Sequence, residues 1–304
     1  MMGNHTPMDL SSTQKKQMVG IVLLILAMLI VPFMDAIAKS LSDQYSIMQL
    51  VWARFFFHFA VIAPFALWRH GSKAFITEKP VLQTTRGLLL LACTACFWGS
   101  IKFIPLANAI AIIFFDAVIL VGLSALFLKE KIPNNRWLAS GVGLIGVIMI
   151  VRPGLDGFHW ASLLALAAAA FFALYILSTR FLAGQALPLV TLSYQSVGGF
   201  VVMTLLVPFF WITPTYTDFV LMVTMALTGA MGHLLLIRSF EFAEASLLAP
   251  YLYTEIIMQA ILGYWFFGDL PDAWAWAGIT VIVSVGIFLS LVTKTNSVST
   301  RKLP

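Results

Sequence analysis

The chain is 304 residues long, 61% hydrophobic and only 10% charged, with a mean hydropathy of +0.95, against about 25% charged residues in soluble domains. Such a chain cannot hide its apolar surface in a water-soluble fold. Its formal charge of +5 and pI of about 9.3 do not point to nucleic acid, because the order of the basic residues along the chain follows a membrane topology.

Crossing a hydrocarbon core of about 30 Å takes roughly 20 apolar residues at about 1.5 Å each. Ten segments near that length follow one another, at about 18–40, 46–68, 83–104, 106–128, 136–151, 160–181, 187–211, 217–237, 244–267 and 273–293. Lys15 and Lys16 precede the first. Its apolar run is too long for a signal core and has no small-residue cleavage site before Asp35, so it is expected to stay attached. Asp35 and Lys39, four apart, read as a local ion pair near the outer surface in preference to a substrate contact. The second segment sets Arg54 and His58 on one face, and Arg69, Lys73, Lys79 and Arg86 surround the connection after it.

The third segment carries Cys93 and Cys96 in CTAC, read as packing residues because a metal site needs further ligands. Thr94, Trp98 and Lys102 share a face there, with Lys102 expected to snorkel to the outer interface. In the fourth, Asp116 stands inside AIIFFDAVIL. Lys129, Lys131 and Arg136 follow it, whereas Arg152 ends the fifth. His233 lies in the eighth, and Tyr251, Glu255 and Gln259 form a stripe in the ninth. Lys294, Arg301 and Lys302 close the chain. With ten spans, Arg152 alone lies clearly opposite the other connecting charges, Arg180 and Arg238 included, which makes the crowded side cytoplasmic. Both termini are then expected inside, in a bacterial inner membrane. Trp137, Trp274 and Trp276 read as interface anchors.

Residues 101–130 align without gaps on residues 240–269, placing Asp116 opposite Glu255 and Glu130 opposite Asp269, both pairs 14 positions apart. Each stretch ends in an acidic turn with proline, EKIP and then GDLP, followed by a tryptophan- and glycine-bearing span. KEKIPNNR is basic and GDLPDAW acidic, as an inverted second half requires. The fold class expected is an all-α integral membrane protein of about ten helices in two inverted five-helix repeats, 18–152 and 160–293, between cytoplasmic tails 1–17 and 294–304. Such repeats hold a site between them near the midplane.

The order of ten spans, the arginine of QLVWARFFF and the endings ALFLKEKIPNNRWLASGVGLIGVIMIVRPG and ILGYWFFGDLPDAWAWAGITVIVSVGIFL resemble the drug/metabolite transporter superfamily, EamA type. That resemblance implies a transport fold whose members export amino acids and amines or import metabolites such as riboflavin or S-adenosylmethionine. The chain departs from the family pattern where proline often follows the midpoints of the fourth and ninth spans: it has Ala117 and Ile256, each preceded by an acid.

A charge at the centre of a spanning helix costs about 2.5 to 3.5 kcal/mol on insertion scales, so Asp116 and Glu255 are expected to face a shared cavity. Arg54 is the candidate partner for an acid or for an anionic solute group. Trp98, Tyr251 and Gln259 complete the candidate binding or coupling set. Trp98, Phe114, Phe115, Tyr251, Tyr253 and Trp265 form an aromatic group able to stack on a planar or cationic ligand, with ordinary packing as the default.

No phosphate loop, HExxH or GxSxG occurs, and the five histidines are scattered, with His5 and His70 outside the spans. No catalytic residue, metal or cofactor is therefore expected. A small-molecule solute and the lipid bilayer are the expected partners, nucleic acid is not, and proton coupling and a homodimer stay open. A secondary transporter is the reading; the alternatives are an intramembrane enzyme and a non-transporting scaffold or lipid-handling protein.

Overall fold

The protein is seen in a computed structural model that describes residues 10–71, 76–127, 134–152, 158–182, 188–243 and 245–300. Among these there is helix and turn but no strand. In chain order the helices are α1 (Leu10–Leu41), α2 (Ile47–His70), α3 (Pro80–Ile101), α4 (Leu106–Ile113), α5 (Asp116–Phe127) and α6 (Asn134–Val151). They continue with α7 (Ala161–Phe181), α8 (Pro188–Leu206), α9 (Tyr216–Phe242), α10 (Ala245–Leu252), α11 (Thr254–Phe267) and α12 (Ala273–Thr300).

Among the described residues, seven helical stretches are long and apolar enough to cross a membrane: Gln14–Leu41, Ile47–Arg69, Pro80–Ile101, Leu106–Phe127, Ala161–Thr179, Ser193–Phe210 and Tyr216–Phe242. Trp137–Val151 and Ala273–Phe288 are shorter apolar helices. Helix α1 begins at Leu10 and α12 runs to Thr300, so both extend into stretches that the sequence suggests as tails. Lys73, Lys129, Glu130, Lys131, Arg301, Lys302 and His5 lie outside the described residues, and with Glu130 the matched acidic pair. The side chains of His70, Arg136, Arg180 and Lys294 are outside them too.

Local chemistry sets the helix limits. The Ser46 side chain accepts a hydrogen bond from the Gln49 N–H at the start of α2, and Thr215 accepts one from the Asp218 N–H at the start of α9. Each satisfies a donor that the first turn leaves free. Helix α11 stops at Gly268, whose φ of 69° is left-handed, while Asp269 N–H reaches back to Gly263 O at 3.0 Å. That closure favours glycine because it lacks a Cβ.

The most extensive packing joins α1 to α9, α3 to α7, α6 to α12 and α2 to α8. Small residues permit these approaches. A Cβ on Gly229 or Gly232 of α9 would come within 2.5 Å of Met34 or 2.4 Å of Val31 of α1. At the α6/α12 crossing, a Cβ on Gly278 would lie 2.6 Å from the Gly146 carbonyl oxygen. Trp98, Leu50, Ile101 and Leu106 are completely or almost completely enclosed. Phe209, Trp68, Leu126 and Trp265 instead point outward, as a lipid-facing exterior requires. Trp265 therefore does not belong with the interior aromatic residues. Trp137, Trp274 and Trp276 are exposed near helix ends.

Candidate functional site

Two helices are interrupted at matching places. Between α4 and α5 the break falls at Phe114 and Phe115, and between α10 and α11 it falls at Tyr253. Phe114 has φ −62° and ψ −5°, and Tyr253, its counterpart in the aligned halves, φ −67° and ψ −10°. Their rings meet, with centroids 4.9 Å apart. Asp116 and Glu255 then occupy the first turns of α5 and α11. A carboxylate there meets free N–H groups and the positive end of the helix dipole. The acids thus offset part of the cost of the interruptions, which form without proline at Ala117 or Ile256.

A second group of polar residues is centred on Asp35, 2% exposed on α1. Trp98 Nε1 of α3 donates to Oδ1 at 2.9 Å, and Gln259 Nε2 of α11 donates to Oδ2 at 2.7 Å. Arg54 of α2 is also buried. Its NH1 donates to Thr94 Oγ1 at 2.9 Å, its NH2 lies 3.1 Å from His233 Nε2, and its guanidinium carbon is 5.5 Å from the Trp98 ring centroid. His58 lies beside His233, ring centroids 6.3 Å apart. Asp35 is within electrostatic range of Arg54 and of Glu255.

Four of the six residues singled out from sequence, Arg54, Trp98, Gln259 and Glu255, thus gather around Asp35. Asp116 lies at the other helix break and interacts electrostatically with Tyr253. Tyr251 is separated from Glu255 and Gln259 by the interruption, so the stripe expected in the ninth segment is not one continuous helix face. It packs instead with Leu24, Met28 and Leu248. Trp98 acts as a hydrogen-bond donor. Cys93 and Cys96 are free thiols, Cys93 buried in the main core.

Two expectations need correction. Asp35 and Lys39 do not pair: Lys39 Nζ binds Asp269 Oδ2 at 2.7 Å and Ile104 O at 3.1 Å. Arg86 is no surface charge beside a loop; it is 5% exposed and donates to Thr179 Oγ1 at 2.7 Å and Tyr175 OH at 2.6 Å on α7. The Lys102 ammonium donates to Ser42 O, just past the end of α1. Asp35 is the residue that sequence reasoning missed as a centre. The available signal was an acid within the first apolar segment, obscured by the lysine four positions later.

The Lys39 end of the bundle is tied together by Lys39 with Asp269, Tyr45 with Asp218 at 2.7 Å, and Gln49 with Ile212 in two hydrogen bonds of 2.7 and 2.9 Å. Arg152 pairs with Asp272, which also caps α12 by accepting from the Ala275 N–H. The Arg152 hydrogen bond holds the Asp272 carboxyl below its usual pKa. Because the folded value is lowered, the associated stabilisation is present above the unfolded pKa and disappears as pH falls through the folded one.

Helix α4 packs on α11 at the Lys39 end; among the described residues, no comparable packing joins α5 and α10 at the other. Lys39→Gln removes the charge pair, and a loss of about 1 kcal/mol changes a two-state population about fivefold. An introduced cysteine at Ile104, with Cys93 and Cys96 replaced by alanine, should then label several-fold faster with an impermeant thiol reagent. An unchanged rate would mean that the Lys39 contacts do not hold this end closed.

The sequence model of the EamA-like transporter family matches residues 18–152 and again residues 159–292. The chain belongs to the EamA-like transporter family. Among its relatives is an S-adenosylmethionine uptake transporter of Rickettsia bellii (strain RML369-C), 27% identical over 256 residues that cover 84% of this chain and 87% of that protein. The pseudopaline exporter CntI of Pseudomonas aeruginosa (strain UCBPP-PA14) is 28% identical over 284 residues, covering 89% of this chain and 95% of the exporter. A riboflavin transporter of Rhizobium johnstonii (strain DSM 114642 / LMG 32736 / 3841) is 27% identical over 239 residues, 77% of each chain. A solved crystal structure, 17% identical and covering 94% of this chain and 98% of its own, has the same fold at a TM-score of 0.60. Family membership and the succession of apolar helices make this a multi-pass membrane protein, and the relatives named are all transporters.

Proposed function

We propose that this EamA-like protein is a secondary transporter, not an enzyme, moving a small organic metabolite across a bacterial inner membrane by alternating access. The observation that carries the reading is Asp35, held on one oxygen by Trp98 of the first half and on the other by Gln259 of the second. A buried carboxylate shared between two moving bodies is placed where a change in their orientation alters its partners. The solute classes to test are amino acids, amines, flavins and S-adenosylmethionine-like compounds, two of them taken from the relatives' names. Asp116, Glu255, Arg54, Trp98, Tyr251 and Gln259 remain candidates for binding or coupling, and Asp35 joins them.

In this reading α4 with α5 and α10 with α11 each form one interrupted span, giving ten spans in two repeats, 18–152 and 160–293. Exchange of halves turns the α1/α9 interface into α7/α3, and it maps α2/α8 and α6/α12 onto themselves. The Phe114 and Tyr253 rings, counterparts in contact, fall beside the axis of that exchange. Five spans per repeat invert the second half, and discontinuous helices at the repeat interface suit alternating access.

The purified full chain in proteoliposomes should show saturable counterflow of at least one of labelled S-adenosylmethionine, L-methionine, spermidine and riboflavin. Flux no greater than in protein-free liposomes for all four would end the transport reading. Topology has its own test: with the native cysteines replaced, cysteines introduced at Asn134 and Asp272 should label from opposite sides, Asn134 from the cytoplasm. Labelling from the same side would remove the inverted repeat.

A further inference from the structure

The relatives named above are associated with solutes of different chemistry, but the polar centre favours one chemical group. We propose that Asp35, Gln259 and Arg54 form a receptor for a zwitterionic α-amino-acid group: Asp35 and Gln259 Oε1 take its ammonium, and Arg54 takes its carboxylate. This rests on the transport reading and narrows its substrate class.

The acidic side carries a charge that its neighbours only solvate. Asp35 is 2% exposed and receives hydrogen bonds from two neutral donors, the Trp98 indole and the Gln259 amide. Among the described residues, no cationic nitrogen lies within salt-bridge distance of it. A buried carboxylate in that condition gains strongly from a cation with hydrogen atoms to donate.

Gln259 supplies the second acceptor. It is 0% exposed, its Nε2 is committed to Asp35, and its Oε1 has no hydrogen-bond partner among the described residues. An unsatisfied buried carbonyl costs about 1–3 kcal/mol. A primary ammonium has three N–H donors, enough to serve Oε1 and Asp35 Oδ2 together. The Gln259–Asp35 hydrogen bond would then yield to two stronger, charge-assisted ones.

The basic side is built in the same way. Arg54 is 7% exposed and, among the described residues, hydrogen-bonds Thr94 Oγ1 and His233 Nε2, neither of them a carboxylate. A guanidinium has five N–H donors and binds a carboxylate through two parallel hydrogen bonds. Trp98 lies between the two sides, its Nε1 on Asp35 and its ring beneath the Arg54 guanidinium. A ligand carrying both charged groups on one α-carbon neutralises both sides at once, whereas a simple amine or anion leaves one opposite charge unpaired. S-adenosylmethionine and free amino acids carry the required group; riboflavin does not.

The test uses counterflow of labelled S-adenosylmethionine and L-methionine by the full chain in proteoliposomes. At least one should move. Riboflavin, spermidine, 5′-methylthioadenosine and decarboxylated S-adenosylmethionine should compete about tenfold or more weakly than the compound bearing the intact headgroup. Arg54→Lys should shrink the preference for S-adenosylmethionine over its decarboxylated form. Asp35→Asn should shrink the preference for L-methionine over N-acetyl-L-methionine. A ratio of two ligands in one preparation separates recognition from misfolding, since loss of folded protein lowers both signals together. Where a variant carries no flux, ligand-induced thermal stabilisation in detergent gives the ratio. Counterflow of riboflavin or spermidine without either amino-acid compound would overturn the receptor while leaving transport intact. Unchanged ratios in both variants would do the same, and absence of flux with every probe would overturn both readings.

Discussion

In Asp116→Asn and Glu255→Gln, gradient-driven accumulation of solute is expected to fall to the level of protein-free liposomes, although each protein still folds and inserts. Both acids sit in the first turn of a half-helix that follows an interruption. An amide keeps an acceptor for the free N–H groups of that turn, so the interruption survives the substitution. What disappears is ionisation. A carboxyl group between two bodies that rock changes its surroundings during each cycle, and with them its affinity for a proton. At least one variant should retain exchange of solute across the membrane, because exchange requires no net proton movement. If both variants transport with wild-type rate and pH dependence, the acids serve only as caps for broken helices.

Gly278→Val should abolish a folded, monodisperse protein in detergent or lower its melting temperature sharply, whereas Gly141→Ala should leave it close to wild type. A Cβ at Gly278 would lie 2.6 Å from the Gly146 carbonyl oxygen, 2.6 Å from Ile150 Cγ1 and 3.2 Å from Met149 Cβ. The nearest obstacle includes backbone, so relief requires separating α6 from α12 along one of the most extensive interfaces in the bundle. Overpacking of this kind costs about 1–3 kcal/mol, and valine adds two methyl groups beyond the Cβ. Nothing lies within 4 Å of a Cβ built on Gly141 of α6, which makes it the control on the partner helix of the same crossing. A Gly278→Val protein that melts with wild type would show that the α6/α12 crossing can open without cost.

The contrast between Asp116 and Asp35 shows how much of the site could be read from residue order. Asp116 was conspicuous because nothing polar surrounds it in AIIFFDAVIL, and alignment of the halves led directly to Glu255. The helix interruptions beside them were hidden, because the proline that often follows those midpoints is absent at Ala117 and Ile256. Tyr251 entered the candidate set on a four-residue spacing that assumes unbroken helix, and the turn at Tyr253 invalidated that assumption. Asp35 was assigned to Lys39 by the same spacing rule. Each instead found its partner more than 200 positions away, at Gln259 and Asp269.

The sequence by itself determined the membrane setting, the succession of apolar helices, the correspondence between residues 101–130 and 240–269, and the family resemblance. These follow from quantities local to the chain: the length of apolar runs, the charge between them and the recurrence of one pattern. Tertiary structure alone decided that Asp35 is shared between halves, that Arg86 is enclosed by α7, and that Lys39 ties α1 to the end of α11. Hydrophobicity says which segments leave water, but it is nondirectional and assigns no partners. Partners are chosen when helices pack at small residues and each buried polar group must find a hydrogen bond from whichever helix arrives beside it.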